Sequence, residues 1–119
     1  MTGAMDIVQS VMQLRVPDIG EGVEWYRQVL GRAPDMQPVE GVAEWEILPG
    51  SWFQVIEARP DPGRNRVRLG VNNLEHEIER LRETPGLELA EPVVLEGIIV
   101  YADGEDPFGN RIGLFQVLD

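Results

Sequence analysis

Val11–Gly31 (VMQLRVPDIGEGVEWYRQVLG) lies over Arg66–Gly86 (RVRLGVNNLEHEIERLRETPG) without a gap, and this internal match constrains the fold more than any other feature. Leu14 meets Leu69, Val16 meets Val71, Glu24 meets Glu79, Arg27 meets Arg82 and Gly31 meets Gly86. The apolar pairs Ile19/Leu74, Val23/Ile78 and Tyr26/Leu81 coincide as well. The spacing exceeds the usual solenoid period and only two copies occur, which marks a duplicated half-domain rather than a repeat array.

Each copy opens as a strand and continues as a helix. Residues 1–9 are polar-mixed and expected to fray in part. Val11–Val16 then alternates around Met12, Leu14 and Val16, the period of a strand with one apolar face. Asp18 suits an N-cap, Val23, Tyr26 and Leu30 form a helical stripe, and Gly31 is the stop. Pro34 and Pro38 delimit a short edge strand, Val42–Leu48 alternates, Pro49-Gly50 turns the chain, and Trp52–Ala58 returns. The first unit therefore reads β-α-β-β-β. A stiff connector of Pro60, Asp61, Pro62 and Gly63 precedes the second copy. There, Asn73 is the expected N-cap, with Glu75, Glu77 and Glu79 where the helix dipole favours carboxylates. Leu74, Ile78 and Leu81 make its buried stripe, and Val93–Leu95, Ile98–Ala102 and Arg111–Val117 are the remaining strands. Asp106–Gln116 (DPFGNRIGLFQ) closes the chain as a hairpin of turn-plus-bulge type: Pro107 presets φ and Gly109 takes the left-handed corner. The fold class is α+β.

Composition narrows the chemistry. At 119 residues, with 43% hydrophobic and 26% charged, the chain suits one globular domain burying roughly two thirds of its unfolded surface. No run approaches the roughly 18 apolar residues of a membrane span, and no secretory pattern opens the sequence, so no membrane partner and a cytoplasmic location are expected. The absence of cysteine removes disulfides, thiolate nucleophiles and zinc–sulfur sites. A net charge of −11 argues against nucleic acid, which needs a basic face. Every positive side chain is arginine, so Schiff-base chemistry through lysine is excluded. His76, the lone histidine, sits on the helix face opposite Ile78 and Leu81 and should face solvent.

Two β-α-β-β-β modules closing on DPFGN, with the opening LRVPDI…WYRQVLG, resemble the vicinal oxygen chelate superfamily of glyoxalases, bleomycin-resistance and fosfomycin-resistance proteins and extradiol dioxygenases. The resemblance covers Val11 to the end and implies a single domain over 1–119, with module one at about 8–58, a linker at 59–65 and module two at about 66–118. It further implies curved mixed sheets around a cleft, completed by a homodimer. In metal-dependent members four ligands line that cleft. Carried over by position they fall on Val11, Gln54, Arg66 and Gly113. Valine and glycine offer no donor and an arginine cation repels a divalent ion, so neither a metal nor another cofactor is expected.

Strand alternation sorts the faces. Gln13 and Arg15 share the cleft side with Val11; Arg66, Arg68 and Gly70 share it in the second module. Trp52, Gln54 and Ile56 lie together, as do Arg111, Gly113 and Phe115. The expected ligand-binding set is Gln13, Arg15, Trp52, Gln54, Arg66, Arg68 and Phe115, with Gly70 and Gly113 leaving room for a ligand. The arginines admit two readings: an anionic ligand held bidentately, or pairing with Glu44, Glu46, Glu57 or a partner subunit. Trp25 is expected in helix–sheet packing, and Trp45 admits a dimer interface or the cleft, with core or interface packing the default for each tryptophan.

The resulting expectation is a metal-independent small-molecule-binding protein of unassigned, anionic or other, ligand, drug sequestration being one version. The alternatives are a lyase, isomerase or dioxygenase with a non-standard site, for which Glu44, Glu46 and Glu57 are the candidate bases, and an interaction module with an empty cleft.

Overall fold

A computed structural model describes residues 3–118; residues 1, 2 and 119 lie outside the described residues, and with them part of the expected frayed start. Residues 3–9 carry no regular structure and are exposed. The chain divides into two compact units, Met1–Ala58 and Arg59–Asp119. No helix among the described residues is long and apolar enough to cross a membrane.

The first unit holds β1 (Ser10–Val16), α1 (Ile19–Leu30), β2 (Val42–Leu48) and β3 (Ser51–Glu57), in sheet order β1-β3-β2. β1 pairs parallel to β3, and β2 pairs antiparallel to it. The edge strand expected between Pro34 and Pro38 is reduced to one bridge, Met36 with Glu44; prolines at both ends leave too few N–H donors for a ladder. Asp18 caps α1, accepting from the Glu21 N–H at 2.9 Å, and Gly31 ends it at φ 82°. Gly22 brings α1 close to β1, since a Cβ there would stand 2.6 Å from Val16 Cγ2. Leu14 and Val16 of β1, Phe53 and Val55 of β3, and Ala43 and Trp45 of β2 are all buried, with Tyr26 and Val29 from α1. Trp45 is wholly buried, its ring 6.2 Å from Phe53 and its Nε1–H donating to the Arg32 carbonyl at 2.8 Å. It is therefore a core residue, in line with the packing default, and the interface and cleft alternatives that its flanking glutamates allow do not hold. Trp25 is buried as expected, 4.8 Å from Tyr26.

The second unit holds β4 (Arg66–Gly70), α2 (Leu74–Leu81), β5 (Glu88–Leu89), β6 (Val93–Leu95), β7 (Ile99–Glu105) and β8 (Arg111–Val117), ordered β4-β8-β7-β5 with β6 also on β7. β4 runs parallel to β8, as β1 does to β3. The duplication extends to single hydrogen bonds. Glu57 of β3 accepts from the Ile19 N–H at 2.9 Å, and Gln116 of β8 accepts from the Leu74 N–H at 2.8 Å, so each helix start is satisfied by the last strand of its own unit. α2 is shorter than α1. Pro85 stands where Leu30 does in the first copy, and the residue before a proline disfavours helix. Gly86, at φ 80°, accordingly serves a later turn and not the helix stop expected from Gly31.

The β7–β8 hairpin is longer than the sequence pattern indicates. Its ladder runs from Ile99↔Val117 to Glu105↔Arg111 without a register shift. The turn has the expected turn-plus-bulge form: the Gly109 N–H donates to the Asp106 carbonyl at 3.4 Å, the Asp106 N–H donates to the Asn110 carbonyl at 2.9 Å, and Gly109 supplies the left-handed residue. The connection 106–110 is held by a buried polar cluster. Asp106 Oδ1 accepts from the Phe108 and Asn110 N–H groups at 2.9 and 2.8 Å, and Asn110 Nδ2 donates to Asp106 Oδ2 at 2.7 Å. Gly109 takes φ 95°, and Asn65 donates to Asn110 Oδ1 at 3.0 Å, tying the turn to the entry of β4. The DPFGN motif is thus a structural clasp.

Candidate functional site

Each sheet has one face covered by its helix and one open face, and the open faces collect the residues singled out by alternation. On the first sheet the register makes rows: Val11–Trp52–Glu46, Gln13–Gln54–Glu44, and Arg15–Ile56–Val42. The middle row is a relay of short hydrogen bonds. Gln13 Nε2 donates to Gln54 Oε1 at 2.6 Å, and Gln54 Nε2 donates to Glu44 Oε2 at 2.6 Å. Glu44 fixes which way both amides point, so Gln13 presents its own carbonyl oxygen outward. Trp52 is half-buried beside the exposed Val11.

On the second sheet the rows are Arg66–Arg111–Glu105, Arg68–Gly113–Asp103 and Gly70–Phe115–Tyr101. Arg68 reaches across the side-chain-free Gly113 to Asp103, Nε to Oδ1 at 3.0 Å and Nη2 to Oδ2 at 2.6 Å, a fork-on-fork pair. Its guanidinium lies 4.3 Å from the Tyr101 ring centroid. The hydrogen bond from Arg68 holds the Asp103 carboxyl below its ordinary value of 3.8; burial opposes this, and the charges of Arg68, Arg66 and Arg111 reinforce it. The same bond raises Arg68.

Two expectations need correction. Gly70 and Gly113 do not leave open room. A Cβ on Gly70 would stand 2.8 Å from Phe115 Cζ, and one on Gly113 would collide with Asp103 Oδ1. The missing side chains are filled by the Phe115 ring and by the Arg68–Asp103 pair. Nor is Arg68 partnered by Glu44, Glu46 or Glu57: Glu46 accepts from the Gly50 N–H at 3.0 Å, and Glu57 serves α1. Asp103 lies beyond the strand Ile98–Ala102 that the sequence pattern marks. Continuing it to Glu105 places Asp103 opposite Gly113. Tyr101 and Arg111 join the face by the same register.

The four positions where metal-dependent relatives carry ligands do not suit a metal. Val11 stands opposite Trp52, Gln54 is bonded to Gln13 and Glu44, Arg66 is a cation, and Gly113 is roofed by an ion pair. A carboxylate at 113 and the Arg68–Asp103 pair would exclude each other sterically. Among the described residues no group of three or more His, Cys, Asp or Glu side chains is placed to hold a metal ion. His76 is exposed on α2.

The sequence matches no protein-family model and no curated protein. Solved structures give clear matches. A glyoxalase/bleomycin resistance protein from Catenulispora acidiphila superposes with a TM-score of 0.79 at 25% identity, covering 93% of this chain and 99% of that one. A glyoxalase/bleomycin resistance protein/dioxygenase from Nocardioides gives 0.70 at 20% identity, covering 99% and 87%. An antibiotic binding protein from Streptomyces gives 0.74 at 22% identity, covering 98% and 99%. The chain has the fold of the glyoxalase/bleomycin-resistance/dioxygenase proteins, matching the vicinal oxygen chelate superfamily.

Proposed function

We propose that this chain is a metal-independent small-molecule-binding protein of the glyoxalase/bleomycin-resistance type, acting as a homodimer. The observation that carries the reading is the Arg68–Asp103 pair seated over Gly113. It occupies the space a metal-binding side chain at that position would need, and it commits Arg68 and Asp103 to each other and not to a metal ion. What remains suits recognition: the oriented Gln13–Gln54–Glu44 relay, Arg15 and the half-buried Trp52 on one sheet, and Arg66, Arg68 and Phe115 on the other. A few fixed polar groups beside aromatic surface are what small-ligand sites offer. The antibiotic-binding neighbour with this fold supports sequestration of a small molecule as one version of the reading.

The test is a thermal-shift screen of a chemically diverse library alongside elemental mass spectrometry after soaking in zinc, nickel, manganese and iron(II). Substoichiometric metal with at least one stabilising compound is the expected result, because a ligand that binds only the folded chain raises its stability. Stoichiometric metal would overturn the metal-independent reading.

A further inference from the structure

Arg66 and Arg111 are direct partners on the parallel strands β4 and β8, with β-carbons on the same open face. Adjacent strands lie about 4.8 Å apart, and like charges directly opposite each other destabilise a sheet. A compensating carboxylate is expected, yet among the described residues none forms an ion pair with either side chain, and the nearby Asp103 charge is shared with Arg68. Glu105, opposite Arg111 on its other side, forms no ion pair with it, and Arg66 makes no hydrogen bond or ion pair among the described residues. Asp103 is already held by both forks of Arg68. Arg111 is anchored through Nε, which donates to the Asn65 carbonyl at 3.4 Å, and this leaves its terminal nitrogens for another acceptor. Three guanidinium groups thus gather around two carboxylates in a chain whose net charge is −11.

We infer that Arg66 and Arg111 form an anion clamp that binds the carboxylate or phosphate group of a small organic ligand. The inference rests on the small-molecule-binding reading and gives it a ligand class. Two forks side by side offer paired N–H donors to the oxygens of one anionic group, geometry that suits carboxylate and phosphate alike. Arg68, fixed against Asp103 and Tyr101, forms the rigid floor next to the clamp and is not one of its jaws. Asp103 keeps its charge low on the acid scale partly through Arg66 and Arg111, which places both cations within electrostatic reach of the same point.

The test is isothermal titration of the full chain with phenyl phosphate and with benzoate, benzyl alcohol serving as the neutral analogue. Melting temperatures without ligand, in phosphate-free low-salt buffer, complete it. The expected result is binding of at least one anion in preference to benzyl alcohol, weakened about tenfold or more in Arg66→Gln and in Arg111→Gln. The ligand-free variants should melt roughly 1–4 °C higher than wild type, because each removes a like-charge opposition. A rise in stability with a loss of affinity rules out misfolding as the cause. Preference for phenyl phosphate assigns a phosphate ligand, and preference for benzoate a carboxylate. Equal affinity of both anions for wild type and the double variant, or no anion binding by wild type, overturns the clamp. Benzyl alcohol binding as tightly as the better of the two anions also overturns it, while leaving the small-molecule reading intact.

Discussion

The two units began as copies and now hold together by different means. Among the described residues the first unit contributes nine of the fourteen buried apolar side chains, including Trp25, Tyr26, Trp45 and Phe53 in edge and tilted ring contacts. The second contributes Val67, Leu74, Leu81, Ala102 and Leu114, with no aromatic ring, and both buried polar side chains, Asp106 and Asn110. Its helix is also a turn shorter. What the second unit lacks in apolar volume it replaces with directional contacts: the Asp106–Asn110 clasp and the Arg68–Asp103 fork. Directional contacts fix geometry more tightly than they add stability. The half that is weaker as a hydrophobic core is thus the half whose open face holds an ion-pair fork, and it carries Arg66, Arg68 and Arg111 against Arg15 alone on the first sheet.

Truncating the aromatic core tests this contrast most severely. Trp45→Ala should cost about 3–5 kcal/mol in urea unfolding, more than Leu114→Ala in the second unit at about 2–3 kcal/mol; the reverse order would break the comparison. Asp106→Ala should come next, at about 2–4 kcal/mol, because it strands two backbone N–H donors in a buried turn. Hydrogen exchange at Phe108 and Asn110 should accelerate while amides of α1 stay protected; uniform acceleration would mean that the clasp serves the whole chain. Gly113→Ala should cost about 1–3 kcal/mol by forcing Asp103 away from Arg68. A double-mutant cycle with Asp103→Ala checks this, since the glycine effect should shrink once the aspartate is gone.

The smallest effect is electrostatic. Asp103 has a folded-state pKa below its ordinary 3.8, so its contribution is fully present above that value and is lost as pH falls through the lower folded value. The pair is about 30% exposed, which limits the contribution to about 1 kcal/mol or less. Arg68→Met should therefore flatten the stability profile only on the acid side of pH 4, measured by denaturation at stepped pH. An unchanged acid limb would show that the fork positions groups without stabilising them.

Much of this was legible in the residues. The gapless match of Val11–Gly31 with Arg66–Gly86 foretold two strand–helix units, and Asp18 and Asn73 cap their helices as their identities suggest. Alternation assigned Leu14, Val16 and Val67 to the covered faces and Gln13, Arg15 and Arg66 to the open ones. The open and failed readings share a cause. Trp45 between two glutamates leaves core, interface and cleft all open, because alternation alone cannot say which face a helix covers, and Phe53 across the ladder decides for the core. Gly70 and Gly113 read as vacancies because a missing side chain says nothing about which neighbour fills the space. Asp103 sits at the point where a glycine interrupts the strand pattern, and only the partner register of β8 reveals that the strand continues. Pairwise contacts between distant segments lie outside any local pattern.

The parallel pairing of β4 with β8 also has a consequence for how the chain is made. β4 has no strand partner among the described residues except β8, so Arg66 must wait on the ribosome until Arg111 has emerged. The first unit closes over a similar span, Ser10 to Ser51, but is synthesised first. Folding during synthesis should therefore be vectorial, with the aromatic half complete while the other is still an open hairpin, and loop closure makes such distant pairing the slow event. The arginine-rich strand remains soluble in that interval because its charges repel other nascent edges.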